Sequence, residues 1–100
     1  MSEEQVISWI FLAIAMASQI EPADYRGIIM IADGITHAVP NQKELQTSIT
    51  WLTKNNLINK KGKRYNLTSK GQTEFEKASK KNMTLLKTWK NLEKIIINYE

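Results

Sequence analysis

The sequence predicts a mainly α-helical domain carrying one small β-hairpin. Three observations lead there: apolar residues recur at helical spacing in several stretches, a single pair of short strand-like pieces surrounds Gly62, and only two prolines and four glycines interrupt the chain. One hundred residues, 42% of them hydrophobic, suffice for one domain, residues 1–100, with one core. No cysteine is present, which removes disulfides and thiolate metal sites from consideration.

The first helix is predicted from Glu3 to Ser18. Ser2 is placed to cap it, and Glu3 and Glu4 sit in the first turn, where the helix dipole favours acids. Its apolar residues point in nearly every direction around the axis, so it should be covered on most sides. Glu21-Pro22 interrupts, and Asp24 caps a second helix, Tyr25 to Thr36, with Ile28, Ile29, Ala32 and Ile35 inward. In the linker that follows, Val39 is expected to plug the core, and Ala38 and Val39 to add a stub of strand. Asn41-Gln42-Lys43-Glu44 has the form of a capping box, so a third helix should run from Gln42 to Asn55 or Asn56. Leu45, Ser48, Ile49 and Leu52 form its inward stripe.

Asn55-Asn56 can end that helix, because asparagine tolerates the left-handed conformation. Leu57 to Asn59 and Arg64 to Leu67 are then strand-like, joined by Lys60-Lys61-Gly62-Lys63, and Thr68 caps a fourth helix. From Thr73 to Tyr99 neither proline nor glycine occurs, allowing one long helix or two with a bend near Lys81-Asn82. Residues 2–81 are expected to form the core of the domain and 82–99 a terminal helix. Leu85, Trp89, Leu92, Ile96 and Tyr99 are spaced 4, 3, 4 and 3, a heptad seam that wants a partner helix. Two partners are open: a second copy, making a homodimer, or the first helix of the same chain.

The order helix, helix, capped helix, basic hairpin, helix is that of a winged helix-turn-helix with an additional C-terminal helix, whose third helix and wing can meet one duplex together. The stretch Glu44 to Gly71 resembles the bacterial winged helix-turn-helix regulators of the MarR and PadR type. Leu52-Thr53-Lys54-Asn55-Asn56-Leu57-Ile58 is similar to the end of their recognition helix, with Asn56 where glycine is usual, and Arg64-Tyr65-Asn66-Leu67-Thr68-Ser69-Lys70-Gly71 is similar to their returning wing. The resemblance implies a DNA-binding transcriptional regulator, dimeric through its terminal helices.

Charge adds to that reading. Residues 1–50 hold two cations and six acids, residues 51–100 twelve cations and four acids. Lys60, Lys61, Lys63 and Arg64 on the hairpin can neutralise phosphates, which supplies affinity without sequence information. Gln42, Lys43, Gln46, Thr47, Thr50 and Lys54 make the outer face of the third helix, and glutamine there can pair with adenine. The alternative is a winged-helix protein-interaction module without specific DNA binding.

Other chemistry finds few candidates. His37 is the only histidine and lies in a linker, so neither a multi-histidine metal set nor acid-base work is expected, and no cofactor is assigned. Trp9, Trp51 and Trp89 are explained by packing. The longest apolar run, Trp9 to Ala17, has nine residues, short of the roughly 20 needed to span a membrane. The residues before it are acidic rather than basic, unlike a signal peptide, and the expected location is the cytoplasm.

Overall fold

In each helix, the side chain of the residue just before it accepts from the backbone amide three positions on. The computed structural model describes residues 1–80 and 83–99, and in it α1 is Glu3–Ala17, α2 Tyr25–Thr36, α3 Gln42–Lys54, α4 Ser69–Ala78 and α5 Leu85–Asn98. The caps are Ser2, Asp24, Asn41, Thr68 and Thr84. Gln5 and Glu44 return the bond to the cap residue's own amide, completing capping boxes on α1 and α3.

α1 is the centre of the core. Ile7, Trp9, Ile10, Phe11, Leu12 and Ile14 are fully buried, and α2, α3 and α5 pack around them. Each such side chain contributes about 1.5–3 kcal/mol relative to exposure. The one polar atom of Trp9 is satisfied, since its indole N–H donates to the Ala32 carbonyl at 3.0 Å.

Asn56 ends the α3 segment with a φ of 62°, and the chain turns into β1, Ile58–Lys61, which pairs antiparallel with β2, Arg64–Leu67. The register sets Ile58 opposite Leu67, Lys60 opposite Tyr65 and Lys61 opposite Arg64, leaving Gly62-Lys63 as a two-residue turn with Gly62 at φ 62°. The hairpin is tied to the body at two places. Tyr65 exchanges two 2.8 Å backbone hydrogen bonds with Ala23, in the loop between α1 and α2. Gly71 brings the start of α4 against Leu57, closely enough that a Cβ there would overlap the Leu57 carbonyl. The result is an α-rich winged helix-turn-helix, α1–α2–α3–β1–β2–α4, followed by the additional helix α5.

Two expectations need correction, and one left open is decided. Val39 is 65% exposed and makes no strand: the left-handed turn at His37 swings the linker outward, Pro40 is buried instead, and the extra strand position is Ala23. Of the two arrangements open for residues 73–99, the structure has two helices, since α4 stops at Ala78 and Thr84 caps a new start; the expected bend at Lys81-Asn82, like the 81/82 boundary, lies outside the described residues. The expected dimer seam Leu85, Trp89, Leu92, Ile96, Tyr99 is also largely used within the chain. Leu92 and Ile96 are fully buried in the core, and the Trp89 indole donates to the Gln5 carbonyl and to Ser8 Oγ, both at 3.0 Å. Tyr99 donates to Glu74 at 2.7 Å and meets Trp51 edge-on, with 6.1 Å between centroids. Only Leu85 of the five is exposed, because α1 is apolar all round and needs cover that α5 supplies.

Candidate nucleic-acid interface

The capping box at Asn41 fixes where α3 begins and therefore which residues face outward. Leu45, Ser48, Ile49 and Leu52 are buried, whereas Gln42, Lys43, Gln46, Thr47, Thr50 and Lys54 are exposed. Gln46, Thr50, Thr53 and Lys54 follow one another at helical spacing along the flank facing the hairpin. Together with Lys60 and Tyr65 they line an open groove of about 330 Å³. A second recess of about 340 Å³ shares Lys60 and Tyr65 with it and is otherwise lined by Asp24, Tyr25, Arg26 and Lys63.

Strand alternation divides the four wing cations. Lys60, opposite Tyr65, lines both recesses, and Lys63, in the turn, lines the second with Asp24, Tyr25 and Arg26. Lys61 and Arg64 form the next cross-strand pair and line neither recess; Arg64 Nη1 instead lies 4.0 Å from Glu21 and 3.5 Å from the Pro22 carbonyl. Exposed as that pair is, it holds little energy, and Arg64 can exchange Glu21 for another anion.

The remaining α3 candidates sit at the margins. Lys43 and Thr47 border a recess shared with Glu3, Val6 and Ile7 of α1, on the flank away from the wing. Gln42 lines a recess with Tyr25, Ile29, Pro40 and Gln46. Within the two recesses beside the wing, Arg26, Lys54, Lys60 and Lys63 are accompanied by one carboxylate, Asp24, which is engaged as the α2 cap.

Sequence reasoning overlooked three members of this surface: Tyr25, Arg26 and Tyr65. The Tyr25 and Tyr65 rings stack with centroids 5.7 Å apart and planes 2° from parallel. The Tyr65 hydroxyl donates to Tyr25 Oη at 3.4 Å, the Tyr25 hydroxyl donates to Gln46 Oε1 at 3.0 Å, and Gln46 Nε2 donates to Thr50 Oγ1 at 3.3 Å. Burial, followed by its bond to Tyr25, pushes the Tyr65 phenol up to about 12, so at neutral pH it remains a donor. The available signal was positional: Tyr25-Arg26 follows a cap, where the first turn is exposed, and Tyr65 is the apolar member of an alternating strand.

No protein-family model, curated protein or solved structure matches the chain. Among the described residues, no helix is long and apolar enough to cross a membrane, and no three His, Cys, Asp or Glu residues converge as a metal site.

Proposed function

We propose that the chain is a DNA-binding winged-helix protein, a transcriptional regulator that lays α3 in the major groove of a duplex and sets its wing against the backbone. The observation that carries this reading is the shared groove: Gln46, Thr50 and Lys54 from α3 and Lys60 from the wing line one continuous open surface. A single rigid duplex can touch both elements only if they project from the same side. The local similarity of Leu52–Ile58 and Arg64–Gly71 to the MarR and PadR regulators adds support, as does the basic balance of residues 51–100.

Arg26, Lys54, Lys60 and Lys63 are the phosphate-contacting candidates, with Lys43, Lys61 and Arg64 beside them. Four such contacts imply that log K falls with log[salt] at a slope of about −3.6. Titration of a labelled duplex at increasing salt measures that slope. Retention that does not change with salt would reject the proposal.

A second reading, a protein-interaction module, is favoured by Leu85, Leu86 and Ile97, large side chains left exposed on α5. Pairing of two copies, if it occurs through α5, must use this exposed set, because Leu92 and Ile96 are covered within the chain. A cytoplasmic location accords with the proposed partner.

A further inference from the structure

We propose that Tyr25, held by Tyr65, is a positioning residue that locks the Gln46 side-chain amide to read adenine at one base pair of the bound duplex. The inference rests on duplex binding by α3 and goes beyond it, because it assigns one base preference to a hydrogen-bonded chain that starts in the core.

A glutamine on an exposed helix face is free to rotate, and binding normally costs it that freedom. Gln46 is already held at both ends, its Oε1 by the Tyr25 hydroxyl and its Nε2 by Thr50 Oγ1. An amide carries two lone pairs and two N–H groups. One of each is occupied, which leaves one acceptor position and one donor position for a base edge. Bidentate recognition of adenine uses that pair: the exocyclic N6 donates to the amide oxygen, and N7 accepts from the amide nitrogen. Guanine presents two acceptors on the same edge, N7 and O6, and would set O6 against the amide oxygen.

The direction of the lock comes from the buried end. Tyr65 is 4% exposed and its strand is bolted to Ala23 by two backbone hydrogen bonds. Its hydroxyl gives its proton to Tyr25 Oη, which leaves the Tyr25 proton to be given onward. That proton meets the oxygen of Gln46, and an amide turned over would place Nε2 there and leave the Tyr25 proton without this acceptor. The parallel ring stack keeps the Tyr25 hydroxyl in place. Tyr25, at the first position of α2, thereby connects the wing to the reading face of α3.

The test is selection of bound duplexes from a randomised pool by the wild-type chain, by Tyr25→Phe and by Gln46→Ala, followed by titrations on the selected duplex and on copies altered at each position. The wild type should select adenine at one position, with replacement of that base weakening binding about 5- to 150-fold. Tyr25→Phe removes one oxygen and retains the ring. Its discrimination at that one position should fall toward about threefold or less while discrimination at the other positions is retained. Gln46→Ala should abolish the discrimination, and the double variant should lose nothing further. Undiminished discrimination in Tyr25→Phe would overturn the inference, as would uniform weakening on every duplex, the mark of a merely structural tyrosine. Binding by the wild type without any adenine preference would overturn it while leaving duplex binding intact. Binding to no duplex would reject the duplex-binding reading, and this inference with it.

Discussion

Gly71→Ala should destabilise the fold even though alanine is the better helix former. Gly71 is the third residue of α4, and helix propensity alone would favour the alanine by up to about 1 kcal/mol. Sterics oppose it. The new Cβ would overlap the Leu57 carbonyl oxygen and lie 3.0 Å from its carbon, and both are backbone atoms with no rotamer to change. Relief requires the start of α4 to lift from the end of the α3 segment, at a cost of about 1–3 kcal/mol for overpacking. The Thr68 N–H bond to the same carbonyl, 3.1 Å long, would be strained with it, at about 1 kcal/mol. The net loss is about 1–3 kcal/mol, which for a domain of this size lowers Tm by roughly 5–20 °C. Gly34→Ala is the matched control, since nothing lies within 4 Å of its Cβ position and α2 is helical there. It should gain about 0.5–1 kcal/mol. Urea and thermal denaturation of the two variants give the comparison. A Gly71→Ala chain as stable as wild type would refute the claim that close backbone approach, rather than helix propensity, dictates this glycine.

Three more outcomes are expected. Leu92→Ala should cost about 2–5 kcal/mol, with a urea midpoint independent of protein concentration; a midpoint that rises with concentration would mean that the seam is shared between copies. Lys60→Gln combined with Lys63→Gln should leave stability within about 0.5 kcal/mol of wild type and reduce the salt slope of duplex binding by about 1.8, whereas an unchanged slope would remove these lysines from the interface. The Tyr99 phenol is pushed up to about 12 by burial and by its bond to Glu74, from an ordinary value of 10.0. The unfolded chain therefore loses this proton first, so the contribution is whole below pH 10 and is lost as pH rises through about 12. Denaturation across that range should show a shallower fall for Tyr99→Phe, and equal slopes would contradict the assignment.

Much of the frame was legible in the sequence because its signals are local. Ser2, Asp24, Asn41 and Thr68 cap the helices they precede, and Asn56 takes the left-handed conformation that ends the α3 segment. The heptad seam correctly marked the apolar face of α5, but periodicity says which side of a helix needs cover and not what supplies it. The strongly apolar α1 was the clue that decides between the two partners. Val39 was misplaced because a short apolar linker carries no period, and the His37 turn determines where it points. The tyrosine chain could not be read at all, since it joins residues 21 and 40 positions apart and depends on the Ala23–Tyr65 bridge. The close approach of Gly71 to Leu57 is of the same kind, since it depends on where the hairpin returns the chain.

Amide chemical shifts of the chain, followed by NMR as a duplex drawn from a selected pool is added at low salt, report which surface is gripped. Perturbations should cluster at Gln46, Thr50 and Lys54 of α3 and at Lys60 and Lys63 of the wing, and should spare Leu86 to Ile97 of α5. Shifts confined to α5, or to only one of the two elements flanking the groove, would contradict a duplex held by helix and wing together.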